Sequence, residues 1–162
     1  MCRTRARNVV RISCDLAGER DRCRHALRRS GERPYVYAAT TAGQLIRINA
    51  VTGAGSLVGN FGGGLTSSGD LAFASNDVLY AALDSGGTVV LARVDRATGV
   101  ATTIGPTGLN AVYGLAFFCC HFYGASEPGE LLRIDAATGR ATVIGRNTLR
   151  HWGMSARPCC QC

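Results

Sequence analysis

Lysine is absent. All 18 basic residues of the 162-residue chain are arginine, set against 11 acids for a net charge of +7. That absence excludes a phosphate loop of the G-x-x-x-x-G-K-[ST] type, whose lysine reaches the outer phosphates. "GNFGGG" at 59–64 therefore reads as a flexible connection between strands. Exclusive use of arginine points first to a GC-rich gene and only then to selection for phosphate contacts. Long apolar runs are absent too. No stretch approaches the ~18 consecutive apolar residues that a membrane-crossing helix requires, so no membrane span is expected. No G-x-S-x-G occurs, which removes the nucleophile elbow of an α/β-hydrolase.

The positive charge is concentrated at one end. Residues 1–33 hold ten arginines against Asp15, Glu19, Asp21 and Glu32, a net +6, while residues 34–162 hold eight arginines against seven acids, a net +1. This leader starts with positive charge but lacks the 7–15-residue apolar stretch of a secretory signal. It reads as a disordered basic extension or an upstream start, as an amphipathic helix around 15–29, or as a nucleic-acid-binding arm. It carries no aromatic residue to stack on bases, so nucleic acid is not the expected partner.

The 21 glycines punctuate short β-type segments, and those segments repeat. "RINAVTGAGSLVG" at 47–59, "RVDRATGVATTIG" at 93–105 and "RIDAATGRATVIG" at 133–145 are one unit written three times. Tyr37, Tyr80 and Tyr123 precede the units and lie 43 residues apart both times. Another element recurs between units, as "GDLAFAS" at 69–75, "YGLAFFC" at 113–119 and the weaker "WGMSARP" at 152–158. Apolar alternation and β-branched content make each element a strand. Asn49, Asp95 and Asp135 are placed to bond backbone N–H groups just ahead, as Asx residues do in turns. Gly53, Gly99 and Gly139 supply the positive φ of a short hairpin loop. Gly59, Gly105 and Gly145 close each unit, where they are expected to let the chain swing to the next.

Four strands in every 40-odd residues is the period of a β-propeller blade. The fold expected is all-β, a propeller-like array of about three four-stranded blades, with strands a to d running from the axis outwards. The division expected is a leader at 1–33, three blades at 34–158 and a cysteine-rich tail at 159–162. "LYAALDSGGTVVLARVDRATGVATTIG" at 79–105 resembles the blades of bacterial NHL-type and YVTN-type propeller-repeat proteins. Through Asp-x-x-Thr-Gly it is also similar to the quinoprotein repeat, but Leu57, Thr103 and Val143 stand where that repeat places tryptophan, so no quinone cofactor is expected. The resemblance covers residues 35–158 and implies often-secreted bacterial proteins that bind partners.

Three blades cannot close a ring, since closed propellers use four to eight. Residues 35–58 supply strands b, c and d of a first blade, and 152–157 supply a spare strand a at the other end. The matched deficit admits three explanations. Two chains form a six-bladed homodimeric ring, the chain is a truncated piece of a longer propeller, or "VVRIS" at 9–13 is the missing strand.

Candidate binding residues at the channel mouth are Asp70, Asn110 and His151, with Asp84 and Glu127 on b–c loops. Cys119, Cys120, Cys159, Cys160 and Cys162 fall just beyond strands a of neighbouring blades and are disulfide candidates. Free thiols, or a zinc site with His121, remain open beside that reading, although Cys159-x-x-Cys162 is the only C-x-x-C pair. No metal or other cofactor is expected. Disulfides favour an extracellular or periplasmic location, against the missing signal peptide. The function expected is non-enzymatic binding or scaffolding, the partner an unknown protein or glycan. The alternative is a metal-dependent, lactonase-like propeller hydrolase active only as an assembled ring.

Overall fold

A computed structural model describes residues 35–127, 129–148 and 153–155. Eleven strands and no helix occupy the described residues. Sheet 1 has three strands, β1 (Tyr35–Ala39), β2 (Gln44–Asn49) and β3 (Gly55–Asn60). Sheet 2 has four, β4 (Thr66–Phe73), β5 (Leu79–Ser85), β6 (Thr88–Val94) and β7 (Ala101–Pro106). Sheet 3 also has four, β8 (Val112–Phe118), β9 (His121–Ser126), β10 (Glu130–Ile134) and β11 (Ala141–Arg146). Every pairing is antiparallel and joins neighbours in sequence. The leader, the tail and most of the 152–158 element lie outside the described residues.

The repeat in the sequence is a repeat in register. Tyr37 pairs with Arg47, Tyr80 with Arg93 and Tyr123 with Arg133. A β-bulge interrupts the next ladder at the same step each time, at Leu45/Ile46, Leu91/Ala92 and Leu131/Leu132. Bulges bend a strand and increase its twist, so three copies at one step give three sheets of the same curvature.

The turns that set this register are also copies. Oδ1 of Asn49 accepts from the N–H groups of Val51 and Thr52 at 2.8 and 3.1 Å. Asp95 does the same for Ala97 and Thr98, and Asp135 for Ala137 and Thr138. Gly53, Gly99 and Gly139 follow at φ 73, 79 and 77°, where a side chain would be strained. The bonds received by Asp95 and Asp135 favour their charged forms and hold both carboxyls below the usual range, those from Ala97 and Thr138 contributing most, respectively.

Alternation along the strands makes sheet 2 apolar on both faces. Leu79, Ala81 and Leu83 of β5, with Val90, Ala92 and Val94 of β6, join Ala39 and Leu45 of sheet 1 in one core. Ala82, Val89 and Leu91 join Val112, Phe122, Leu132 and Ile134 of sheet 3 in a second. Each fully buried leucine or valine contributes roughly 1.5–3 kcal/mol, so the two cores bind three sheets into one body. Tyr80 and Phe122 add a ring contact across the second core at 4.6 Å.

Candidate functional site

Asp70 lies in the middle of β4 with 3% of its surface exposed. Its Oδ2 accepts from the N–H of Leu115 at 3.3 Å and from the N–H of Met154 at 2.8 Å. Leu71, Leu115 and Met154 are level with one another in the recurrent element. One carboxylate therefore gathers three successive copies of that element. Burial pushes its pKa up to about 6, while the bonds from Met154 and Leu115 pull the other way. Asn110 is exposed on the loop between β7 and β8, and Asp70 bonds backbone amides on other segments. His151 lies outside the described residues.

The remaining polar candidates are engaged locally. Asp84 accepts from the N–H of Gly87 at 2.7 Å and shapes the β5–β6 turn. Glu127 accepts from the Tyr113 hydroxyl at 3.4 Å. His121 lies 3.1 Å from the Arg133 guanidinium, a cationic neighbour unfavourable to a metal ion. Among the described residues, no three His, Cys, Asp or Glu side chains gather where they could hold one ion. Open grooves of about 300 and 440 Å³ have Arg93, Asp95, Thr107 and Arg140 on their walls, and Asp70 borders neither.

Cys119 and Cys120 form the two-residue turn between β8 and β9, at φ 44 and 68°. Positive φ at consecutive non-glycine residues is uncommon. Both cysteines are disulfide-bonded. Cys159, Cys160 and Cys162 lie outside the described residues.

One constellation was not foreseen. Gly59 and Gly105, expected only to let the chain swing to the next unit, are each also the floor of a contact between sheets. A Cβ built on Gly59 would overlap the carbonyl of Thr98, and one on Gly105 that of Thr138. The Thr-Gly turn of each following unit thus sits directly on the closing glycine of the unit before. A backbone hydrogen bond accompanies each contact, Ala101 N–H to Phe61 O at 2.9 Å and Ala141 N–H to Thr107 O at 3.0 Å. The signal was present as Ile-Gly or Val-Gly at a fixed distance after Thr-Gly, but a single sequence does not say what meets a glycine.

These features define an all-β repeat protein of three antiparallel sheets whose units are held by recurring backbone contacts. Residues 26–154 match the family described as a repeat of unknown function (DUF6923), and the chain belongs to that family. No curated protein matches it. Among solved structures it is similar to the computationally designed Ika4 protein, at 18% identity and TM-score 0.48 over 75% of this chain and 73% of that one. It is also similar to BamB from Moraxella catarrhalis, at 18% identity and TM-score 0.43, over 75% of this chain and 34% of BamB. A puromycin hydrolase mutant complexed with PGG is 19% identical with TM-score 0.40, over 72% of this chain and 19% of the hydrolase. The chain thus spans about a third of BamB and about a fifth of the hydrolase.

Proposed function

We propose that the three sheets are successive blades of a β-propeller and that the chain works without catalysis, as a module that binds or scaffolds a protein or glycan partner. The observation that carries this reading is the use made of Asp70. The carboxylate expected at the channel mouth is committed to two backbone amides and to holding three repeats together. Membership of a repeat family supports the modular part of the reading. The disulfide-bonded Cys119 and Cys120 fit an oxidising compartment, consistent with a secreted or periplasmic protein.

The test is a pair of measurements on the full chain. Melting curves with and without Ca²⁺ are expected to coincide, and ester and lactone substrates to show no turnover above buffer. Turnover that rises with Ca²⁺ would replace this reading with a metal-dependent propeller hydrolase.

A further inference from the structure

We infer that the chain assembles head to tail with a second copy of itself, the last sheet of each protomer seating on the first sheet of the other to close a ring of six sheets. The inference rests on the blade arrangement proposed above, and on no ligand. Contacts between the sheets have a direction, and the molecule makes the same contact twice. On the leading side Leu45 and then Leu91 are fully buried by the sheet that follows. Their counterpart in sheet 3, Leu131, is only partly buried, and Ile144, counterpart of Val58 and Ile104, is 50% exposed. On the receiving side Ala92 and Val94 of sheet 2, and Leu132 and Ile134 of sheet 3, are all buried. Their counterparts in sheet 1, Ile46 and Ile48, are only partly buried, with the buried Ala38 opposite Ile46. One half of the contact is therefore left at each end of the molecule.

The backbone says the same with more precision. Gly59 receives the turn at Thr98–Gly99, and Gly105 receives the turn at Thr138–Gly139. Among the described residues, Gly145, the third seat, has nothing within 4 Å of a Cβ, and neither has Gly53 on the first turn. An unused seat and an unused turn of the same design call for each other, and a second copy supplies both.

The strand count agrees. Met154 bonds Asp70 as Leu115 does, and its Cβ lies against Gly114 of β8, where a Cβ would crowd it. Met154 thus stands at the end of sheet 3 as Leu115 stands against sheet 2, while among the described residues β1 of sheet 1 pairs only with β2. An open edge beside an apolar face is a template for another chain. Interfaces of this head-to-tail kind give rings when the rotation closes and filaments when it does not. Three sheets from each of two copies fall within the range of closed propellers.

Light scattering on the full chain over a range of concentrations tests this. The wild type is expected at twice the 17.0 kDa protomer mass. Gly145→Val fills the seat from inside an open position, and should weaken association at least ~10-fold while leaving the circular dichroism unchanged. Ile46→Arg should do the same from the opposite end. Mixing the two variants should give a heterodimer that associates more tightly than either variant alone, because the last sheet of the Ile46→Arg chain and the first sheet of the Gly145→Val chain meet at one junction free of substitutions. A single protomer mass at every concentration, an open-ended series of masses, or a Gly145→Val chain that associates like the wild type would overturn the proposal. Failure of the blade reading would instead show within the protomer, as an indifferent substitution at Gly105.

Discussion

Sheet 2 and sheet 3 share strand order, the bulge beside their third strands and the Asx-Thr-Gly turn, yet they live in different surroundings. Leu91 and Leu131 both stand opposite closing glycines, Gly105 and Gly145. Leu91 is wholly buried and Leu131 only partly so. Gly105 carries the next turn, and among the described residues Gly145 carries nothing within 4 Å of a Cβ. A repeat sequence fixes what a unit offers, and the next unit decides what the offer is worth. The middle sheet is therefore the stable part of the protomer, and its ends are surfaces.

Several substitutions would break or sharpen that contrast. The largest effect is expected from truncating the paired leucines. Leu91→Ala should cost about 3 kcal/mol, through lost burial and the cavity left behind. Leu131→Ala should cost about 1 kcal/mol in the separate protomer, because less surface is lost. Urea unfolding of both variants checks the difference, and equal losses would erase the distinction between middle and end.

Asp70→Ala comes next. It leaves the amides of Leu115 and Met154 without their acceptor, at a cost of about 2 kcal/mol. The pH dependence has a definite sign. A carboxyl whose pKa rises to about 6 on folding binds its proton more tightly in the native state than in the unfolded chain. Its contribution is fully favourable below the ordinary pKa of 3.8 and declines as pH rises towards 6, by at most about 1.4 kcal/mol per pH unit. Asp70→Asn keeps an acceptor and should flatten that decline, as read from denaturation at pH 4, 5 and 6.

Asp135→Ala should have the smallest effect, a slight fall in Tm below that of either change above. Because folding lowers the pKa of Asp135, its contribution is present above the ordinary carboxylate range and fades as pH drops through the native value. The Tm difference between this variant and the wild type should therefore vanish in acid.

How much of this was legible in the sequence depends on the range of the interaction. The Asx-Thr-Gly turns could be read because donor and acceptor lie two or three residues apart, and they were found as expected at Asn49, Asp95 and Asp135. The strands followed from alternation, and the 43-residue spacing of Tyr37, Tyr80 and Tyr123 became equal positions in three ladders. The role of Gly59 and Gly105 was not legible, because the turns that press on them are 39 and 33 residues further along the chain. Asp70 was picked out as a channel-mouth carboxylate, but its burial depends on segments 45 and 84 residues away. Local chemistry shows in a single sequence, whereas the meeting of distant segments shows only in the fold.

The central claim is that closing glycines are seats between units, filled at Gly105 and, among the described residues, open at Gly145. Denaturation of Gly105→Ala beside Gly145→Ala, both in a Leu131→Arg background that keeps protomers apart, tests it most directly. The account predicts a loss of at least about 2 kcal/mol for the first, where a methyl group meets backbone, and a change within about 0.5 kcal/mol for the second. Equal losses at the two glycines would contradict it.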